Sequence, residues 1–556
     1  MTDKETTLAG DAQPARVPWR AIGIAFAVMA VLLAVFTWAC RDQMNPDAIA
    51  YIRIAYYYLQ GQWDIAISGY WGVLFTWLLA PLLLVFDDPI LAAHVLLAIS
   101  GLAFAGASVF LFIRVGLRSM ALVVAVWIVC LSAAVWSAKN ITPDLLSAAL
   151  MLAGTAILLG PREAPTRREQ VLAGLAFGFA YLAKAVAFPV GIAIILFLTG
   201  GRAWLAGEKL SAWARRLGVI YLAFFIIAAP WIGVLSVHFG KPTFSTSGPI
   251  NFSIAGPPDK DRWHPLSRLY MQPDEGRVAL WEAPEALPYE SWSPLESPQY
   301  FFYMVTHVYE NVVNAAGLVK SFDIFGFGCA AVVLAFLLGR PWRESLRRDR
   351  WRLALVPVVL SVGVYLPVFA GTQRYYYFIF PLMVAAALGF IPSLAAGPAG
   401  RTMRRVGVLA FLLSWGIVIS GPFYTAFAPA PYGAHEKGKA IAGFLMDAGE
   451  TGPLAGVRLP ENTDYYAAFL MRTPSYGMKR DVADVSEIVD SGARVIVVRR
   501  TAPILDELQG SPLFRPLPVA GEWADVPELR DLLFFVRPDV AKKTVGGPGE
   551  PFRYRP

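Results

Sequence analysis

The segment Pro89–Ile113 has the sequence PILAAHVLLAISGLAFAGASVFLFI and contains no aspartate, glutamate, lysine or arginine. It is longer than the roughly 20 apolar residues that cross the hydrocarbon core of a bilayer as a helix. Only helices and closed barrels satisfy their backbone hydrogen bonds in lipid, and this segment lacks the alternation of a barrel strand. It therefore predicts a transmembrane helix.

Similar segments recur along the chain in both directions. Uncharged apolar runs also occupy Ala21–Ala39, Leu145–Gly160, Ala185–Gly201, Leu217–Val237, Leu353–Gln373 and Tyr375–Gly400. Charged residues make up only 16% of the 556-residue chain and hydrophobic residues 56%, whereas charged residues make up about 25% of an ordinary soluble domain. The composition excludes a soluble globular protein. It predicts an α-helical polytopic membrane protein with about eleven or more transmembrane helices.

Basic residues are distributed unevenly between the two sides of these predicted helices. We place the spans at roughly residues 20–40, 89–113, 119–138, 143–160, 171–184, 186–201, 217–238, 321–339, 353–372, 375–395 and 405–425. Loops on one side carry clusters of arginine, the largest over residues 340–352, whereas the three short turns on the other side carry only Lys139, Lys184 and Arg374. By the positive-inside rule the arginine-rich side is cytoplasmic, the N-terminus lies inside and the C-terminus lies outside. This clustering also accounts for the net charge of +7 without a nucleic-acid partner.

This orientation divides the chain into three parts. Residues 1–17 form a cytoplasmic N-terminal tail, and residues 18–426 form a transmembrane domain. The transmembrane domain has two outer loops, residues 41–88 and 241–320. Residues 427–556 form an extracytoplasmic C-terminal domain.

The C-terminal part has the pattern of a soluble domain. Val482–Val489 has a helical pattern, whereas Ala493–Val498 and Leu532–Val536 have the pattern of short buried strands. These elements predict a small α/β domain.

One further apolar block lies in the first outer loop. Ile65–Phe86 is uncharged and long enough to span, but a crossing there would reverse the side of every later loop. We therefore interpret Tyr70–Phe86 as a helix that dips into the outer leaflet and returns. Its tryptophans suit an interfacial position.

The first outer loop begins with a candidate acid. Pro46 favours the first position of a helix, which places Asp47 in the first turn, where the helix dipole stabilises a carboxylate. Tyr51 lies one turn further along the same face. Taken alone, Asp47 is better explained as an ordinary N-terminal helix charge.

The three short outer turns each carry one basic residue. Lys139 and Asp144 flank a turn that contains Pro143, Lys184 interrupts a long apolar stretch, and Arg374 precedes Tyr375. Each has an ordinary explanation: a capped turn, a lysine that snorkels to the interface, or an arginine that binds lipid headgroups. Together with Asp47 they place acids and cations on one outer face, which predicts a polar site there.

Four short motifs occur in order over about residues 20–425. They are an acid followed by a tyrosine (Asp47, Tyr51), the turn Thr142–Asp144, the segment Gly178–Lys184, and the turn from Arg374 to Pro381. In this order and topology the chain resembles the GT-C superfamily of membrane glycosyltransferases. The resemblance is to the branch of protein O-mannosyltransferases, the lipid A aminoarabinose transferase and the rhizobial lipopolysaccharide galacturonosyltransferases.

The resemblance implies a GT-C fold and a multi-pass protein of the bacterial inner membrane. It implies transfer of a sugar from a polyprenyl-phosphate donor to lipopolysaccharide, another glycolipid or a protein at the outer face. A single displacement would invert the anomeric centre. The site candidates are Asp47 and Asp144 as catalytic residues, Lys184, Arg374 and Lys139 as donor-phosphate ligands, and Tyr51 and Tyr375 as substrate-binding residues.

Two features depart from many members of this branch. Ala48 follows Asp47 where a second acid is common, and Gly69–Gly72 stands where a Pro-Pro pair is common. The identity of the donor sugar and the presence of a divalent metal ion are therefore left open.

Two other functions compete with the glycosyltransferase. A transporter would use Asp144 and Lys184 as coupling charges, but such charges usually lie near the midplane between repeated halves. A non-catalytic assembly protein would retain the same fold. The sequence has no glycine-rich phosphate-binding loop at the start of a helix, so it shows no nucleotide-binding motif of this kind.

Overall fold

The computed structural model describes residues 17–162, 164–260, 270–322, 353–369, 371–390, 398–427 and 433–547. Within these residues the chain is mostly helical, and a small β-sheet follows the last apolar helix. The α-helices are α1 Trp19–Ala39, α2 Pro46–Leu59, α3 Trp63–Ala66, α4 Val73–Leu82, α5 Pro89–Val115, α6 Ser119–Trp136, α7 Asp144–Leu158, α8 Arg167–Ala183, α9 Ala187–Ala206, α10 Leu210–His238, α11 Ser247–Ile254, α12 Pro298–Lys320, α13 Leu355–Gly363, α14 Ile379–Phe390, α15 Pro398–Phe427, α16 Gly433–Asp447, α17 Thr463–Met471, α18 Val485–Ser491 and α19 Leu505–Gly510. The strands are β1 Leu454–Val457, β2 Ser475–Lys479, β3 Val495–Arg499, β4 Arg515–Leu517 and β5 Leu532–Val536.

Six helical segments of the described chain are long and apolar enough to cross a bilayer. They are α1, α5, α6, α9, α10 and the part Arg405–Phe427 of α15. The shorter α7 and α8, of 15 and 17 residues, pack among them, because α7 contacts α5 and α8 contacts α10. The chain is therefore a multi-pass helical membrane protein, as the sequence predicts.

Ten of the eleven predicted spans coincide with helices over all or part of their length, whereas residues 323–339 of the remaining predicted span 321–339 and the basic loop 340–352 lie outside the described residues. The prediction for residues 353–372 was too long, since α13 has only nine residues. Pro367 follows α13 closely and lacks the backbone N–H that a continued helix needs. The chain therefore passes through turns before it reaches Arg374.

The first outer loop folds into α2, α3 and α4. The ten residues of α4 give a length of about 15 Å, which is half the thickness of the hydrocarbon core. A helix of this length does not cross a bilayer by itself. The re-entrant position of Tyr70–Phe86 stays a prediction.

The second outer loop contains more helix than its sequence suggests. It includes α11, the 23-residue α12 and a short 3-10 turn at Leu280–Glu282. α12 begins at a recognisable signal, because Ser297 accepts a hydrogen bond from the backbone N–H of Tyr300 and Pro298 occupies the first helical position.

The C-terminal part forms a five-stranded sheet with the order β2-β1-β3-β5-β4. β1 pairs in parallel with β2 and β3, whereas β5 pairs antiparallel with β3 and β4. The strands predicted at Ala493–Val498 and Leu532–Val536 are confirmed as β3 and β5, and the helix predicted at Val482–Val489 corresponds to α18.

One apolar core joins this domain to the first outer loop. Tyr51 and Trp71 of that loop belong to the same buried cluster as Trp281, Tyr465 and Tyr466. The C-terminal domain thus supports the loop that carries Asp47.

Candidate active site

Asp47 and Arg374 form an ion pair at the mouth of the helical bundle. Arg374 donates from Nη2 to Oδ2 of Asp47 over 2.8 Å. The two side chains remain 18% and 19% exposed, so both are accessible to a ligand. Burial alone would lower the pKa of Arg374, but the negative charges of Asp47 and Asp144 outweigh it and raise that pKa.

A second acid, Asp144, and a second cation, Lys184, lie beside this pair. Asp144 binds the ammonium of Lys184, accepts a 2.7 Å hydrogen bond from Thr142, and lies 3.8 Å from Nε of Arg374. Its side chain is only 5% exposed, in contrast to Asp47. Arg374 thus bridges an accessible carboxylate and a buried one.

Helix ends position each of these charged groups. Asp47 follows Pro46 at the start of α2, and Asp144 is the first residue of α7. Lys184 ends α8 in an extended conformation before α9 begins, and Arg374 lies in the 3-10 turn Gln373–Tyr376. The two acids therefore lie at helix N-termini, whereas Lys184 follows a helix C-terminus and Arg374 lies in the turn that precedes α14.

Gly72 permits the close approach of the first outer loop to this site. A Cβ atom at Gly72 would lie 1.8 Å from the carbonyl oxygen of Ala183, directly before Lys184. Only glycine fits there. This contact explains one residue of the Gly69–Gly72 segment that departs from the Pro-Pro pattern.

Aromatic rings surround the charges. Tyr375 lies under both cations, with Nζ of Lys184 at 4.2 Å and Cζ of Arg374 at 5.6 Å from its ring centroid. Tyr365 stacks on Tyr375 at a centroid distance of 5.2 Å. Tyr51 lies behind Asp47, packed edge-on against Trp71.

The structure brings together most of the predicted site residues, but Lys139 lies apart. Asp47, Asp144, Lys184, Arg374 and Tyr375 form one cluster. No described residue makes an ion pair with Lys139, and burial lowers its pKa.

Trp281 belongs to the site, although the sequence analysis did not indicate it as a site residue. Its indole N–H donates to Oδ1 of Asp47 over 3.3 Å. Together with Arg374, Trp281 supplies a donor to each oxygen of this carboxylate. No motif or spacing links Trp281 to Asp47, because they lie 234 positions apart in two different outer loops.

A buried network holds Trp281 in place. The neighbouring Glu282 accepts hydrogen bonds from the backbone N–H groups of Val278 (2.7 Å) and Ala279 (3.0 Å). It also accepts from the hydroxyl of Tyr57, which in turn accepts from Arg53. Since Tyr57 and Arg53 belong to α2, this network fixes Trp281 to the helix that carries Asp47.

The residues at this site do not fit a divalent metal ion. Asp47 and Asp144 both face Arg374, and Asp144 is also bound to Lys184. Cationic side chains thus occupy the positions that a metal between the two carboxylates would need. Across the described parts of the chain, no three His, Cys, Asp or Glu side chains form a group that could hold a metal.

The described chain belongs to the class of polytopic helical membrane proteins, with a charged site at the ends of its helices and a small α/β domain. No protein-family model and no curated protein matches the chain. Solved structures do match. The crystal structure of ArnT from Cupriavidus metallidurans bound to undecaprenyl phosphate superimposes with a TM-score of 0.53 at 16% identity, covering 94% of this chain and 100% of that one.

The apo structure of the same protein gives a TM-score of 0.51 at 17% identity, covering 92% of this chain and 98% of that one. ArnT is a lipid A aminoarabinose transferase of the GT-C superfamily. The chain therefore has the GT-C fold, and the resemblance indicated by its four motifs is confirmed at the level of the fold.

Proposed function

We propose that this protein is a membrane glycosyltransferase that moves a sugar from a polyprenyl-phosphate donor to an acceptor at the outer membrane face. The observation that carries the proposal is the cluster of Asp47, Arg374, Asp144 and Lys184 at the ends of apolar helices in a GT-C fold. The ArnT structure that superimposes on this chain was crystallised with undecaprenyl phosphate, which supports the same class of donor here.

Arg374 and Lys184 are the proposed ligands of the donor phosphate. In the reaction the bond between the anomeric carbon and the phosphate oxygen breaks, and the lipid phosphate departs as an anion. A guanidinium grips two phosphate oxygens, and an ammonium adds a point charge, so both stabilise the charge that develops. A phosphate leaves as a stable anion and needs no strong acid to protonate it.

Asp47 is the proposed general base. The acceptor hydroxyl attacks the anomeric carbon while its proton passes to the Asp47 carboxylate, which general-base catalysis requires to be within hydrogen-bond reach. Asp47 is the more accessible of the two acids, and Trp281 and Arg374 orient its two oxygens. Attack from the face opposite the phosphate inverts the anomeric centre, by analogy with inverting hydrolases.

Asp144 acts through its neighbours in this proposal. It is almost completely buried and bound to Lys184 and Thr142, so it holds the two cations in position. Contact with the acceptor falls to Asp47. The proposed reaction uses no metal ion, because the carboxylates of Asp47 and Asp144 are paired with Arg374 and Lys184.

The transporter hypothesis explains fewer of these contacts. The pair Asp144–Lys184 lies where α7 begins and α8 ends, whereas coupling charges of transporters lie near the midplane. Coupling charges at Asp144 and Lys184 would also not explain why Trp281 and Arg374 both donate hydrogen bonds to Asp47.

The proposed location is the bacterial inner membrane, with the N-terminus in the cytoplasm and the C-terminal domain outside. The site then faces the outer side, where a lipid-linked donor is available and a nucleotide sugar is not expected. The proposed partners are the polyprenyl-phosphate-linked sugar, membrane lipids, and a glycan, lipid or protein acceptor.

The test is a transfer assay with detergent-purified protein and a crude acceptor fraction from the cell envelope. Polyprenyl-phosphate sugars and nucleotide sugars are offered separately, and Asp47→Asn serves as the inactive control. We expect transfer from the lipid-linked donor only. Transfer from a nucleotide sugar without any lipid carrier would overturn the proposed donor, and equal transfer by Asp47→Asn would overturn the proposed site.

A further inference from the structure

α12 (Pro298–Lys320) presents three different faces along its 23 residues. One face is turned to the protein and includes the buried Asn311, Ala315 and Val319. A second face, the apolar stripe, consists of exposed side chains at helical spacing: Phe302, Val305, Tyr309, Val312 and Val313. The third face, the polar stripe, consists of the exposed Thr306, Glu310 and Asn314.

The side chains of the apolar stripe are strongly exposed. Phe302 is 68% exposed and Tyr309 is 67% exposed. Full burial of one such large side chain is worth about 1.5–3 kcal/mol. A surface of this kind on a single helix indicates an apolar medium or partner.

The contacts of α12 show which part of the molecule it follows. Near its beginning, Tyr303 donates to the carbonyl oxygens of Ala255 and Gly256 in the second outer loop, over 2.9 and 2.8 Å. In its middle, Asn311 donates to the carbonyl oxygen of Leu366 over 2.8 Å. Just after its end, Ser321 accepts from Gln373 over 3.0 Å, beside Arg374.

A helix of 23 residues is about 34 Å long, enough to join opposite faces of a bilayer. Among the described residues, the hydrogen-bond partners of α12 and of Ser321 outside the helix instead belong to the second outer loop or to the turns between α13 and Arg374, while Ala315 and Val319 pack on the apolar core of the bundle. Both ends of α12 therefore lie at the same end of the membrane domain.

We infer that α12 lies in the plane of the outer membrane interface, with its apolar stripe in the lipid and its polar stripe in water. A helix with adjacent apolar and polar faces and aromatic side chains is typical of this position. The apolar surface also continues beyond α12. Phe369, next to the carbonyl of Val368 that contacts His307, is 51% exposed, and Val359 on α13 is 55% exposed.

This position has a consequence for the site. The C-terminal end of α12 meets the turn of Arg374 through the bond between Ser321 and Gln373. α12 would then hold Arg374 at the depth of the lipid phosphates. The inference does not depend on sugar transfer, since it concerns only where the helix lies.

The test is spin-label accessibility of the full-length protein in liposomes. Cys40, Cys130 and Cys329 are replaced by alanine, and single cysteines are then introduced at 302, 305, 309 and 313, with matched controls at 306, 310 and 314. Nitroxide labels report collision with oxygen, which partitions into lipid, and with a water-soluble nickel chelate. Elution of each labelled variant at the wild-type volume in gel filtration confirms that it is folded.

We expect preferential oxygen contact at the four stripe positions and preferential nickel contact at the three controls, with a helical period. Preferential nickel contact at all seven positions would place α12 in water and overturn the inference. A steady increase of depth from position 302 to 314 would indicate a crossing helix. Protection of the stripe from both reagents would indicate a protein partner or a second copy on this face. Either of these results would also overturn the inference.

Discussion

Nη2 of Arg374 lies 2.8 Å from Oδ2 of Asp47, although the two residues are 327 positions apart in the chain. The contact joins the first outer loop to the turn that precedes α14. In the proposed reaction this guanidinium binds the donor phosphate, so the phosphate and Asp47 compete for the same cation. Donor binding would therefore loosen Asp47 from Arg374 and leave its carboxylate free to accept a proton.

Asp47→Asn should reduce the turnover of purified protein at least roughly 100-fold, at the low end of general-base contributions. Asparagine keeps the shape of the side chain but cannot take the acceptor's proton. The matched control is Asp64→Asn, which makes the same change at an exposed acid of the same loop. Near-normal turnover of Asp47→Asn, with the folded protein recovered at wild-type yield, would refute the role of Asp47 and shift attention to Asp144.

Arg374→Lys should weaken binding of undecaprenyl phosphate roughly tenfold, equivalent to about 1.4 kcal/mol. Lysine keeps the charge but loses the two-pronged geometry. Arg374→Ala should weaken it further, because it also leaves Asp47 and Asp144 without a shared cation. Binding to detergent-purified protein measures this, and Lys139→Ala should cause a smaller loss since Lys139 lies outside the cluster. Unchanged affinity in Arg374→Ala would contradict the assignment.

Trp281→Phe should lower turnover several-fold with little change in donor affinity. The substitution keeps an aromatic ring but removes the N–H that orients Oδ1 of Asp47, and a hydrogen bond to a charged group contributes about 1.5–3 kcal/mol. Trp292→Phe is a matched control, because Trp292 donates its N–H to the backbone oxygen of Phe252, away from the charged cluster. Equal effects of the two substitutions on turnover would mean that Trp281 acts only in folding.

The orientation predicts the outcome of reporter fusions. A reporter that is active only outside the cytoplasm should be active when fused after Pro556 and silent when fused near Arg348. The physical basis is the excess of arginine on one side of the predicted spans. The reverse pattern would place Asp47 and Arg374 on the cytoplasmic side and remove the argument for a lipid-linked donor.

The fold and the charged cluster were largely predictable because lipid constrains a sequence strongly. A lysine or an arginine within a long apolar stretch is costly, so Lys184 and Arg374 are visible without a structure. Trp281, Glu282 and the exposed face of α12 were not predictable in this way. They lie in a loop rich in proline and aromatic residues, where contacts depend on how distant segments meet.

The C-terminal domain shows the same limit. The strands β3 and β5 are continuous apolar runs and were visible in the sequence, whereas β4 consists of only three residues, two of them exposed. Short edge strands are defined by their pairing partner. Here that partner is β5, which the register places beside Arg515–Leu517.

The stability of the C-terminal domain should fall as the pH rises from about 4 to about 6, because of Asp464. Burial raises the pKa of this carboxyl from 3.8 to about 6, although Ser475 donates a 2.6 Å hydrogen bond to it. The folded state therefore holds a proton that the unfolded state has already lost. The stabilisation is complete below pH 4 and is lost above pH 6, a difference on the order of 3 kcal/mol.

Asp464→Asn removes this titration and keeps a side chain that can accept the hydrogen bond of Ser475. The melting temperature of the full-length variant relative to wild type should therefore be higher at pH 8 than at pH 4. Asp490→Asn is a suitable control, since Asp490 is an exposed acid on α18 of the same domain. A difference between wild type and Asp464→Asn that is the same at both pH values would show that Asp464 does not titrate in this range.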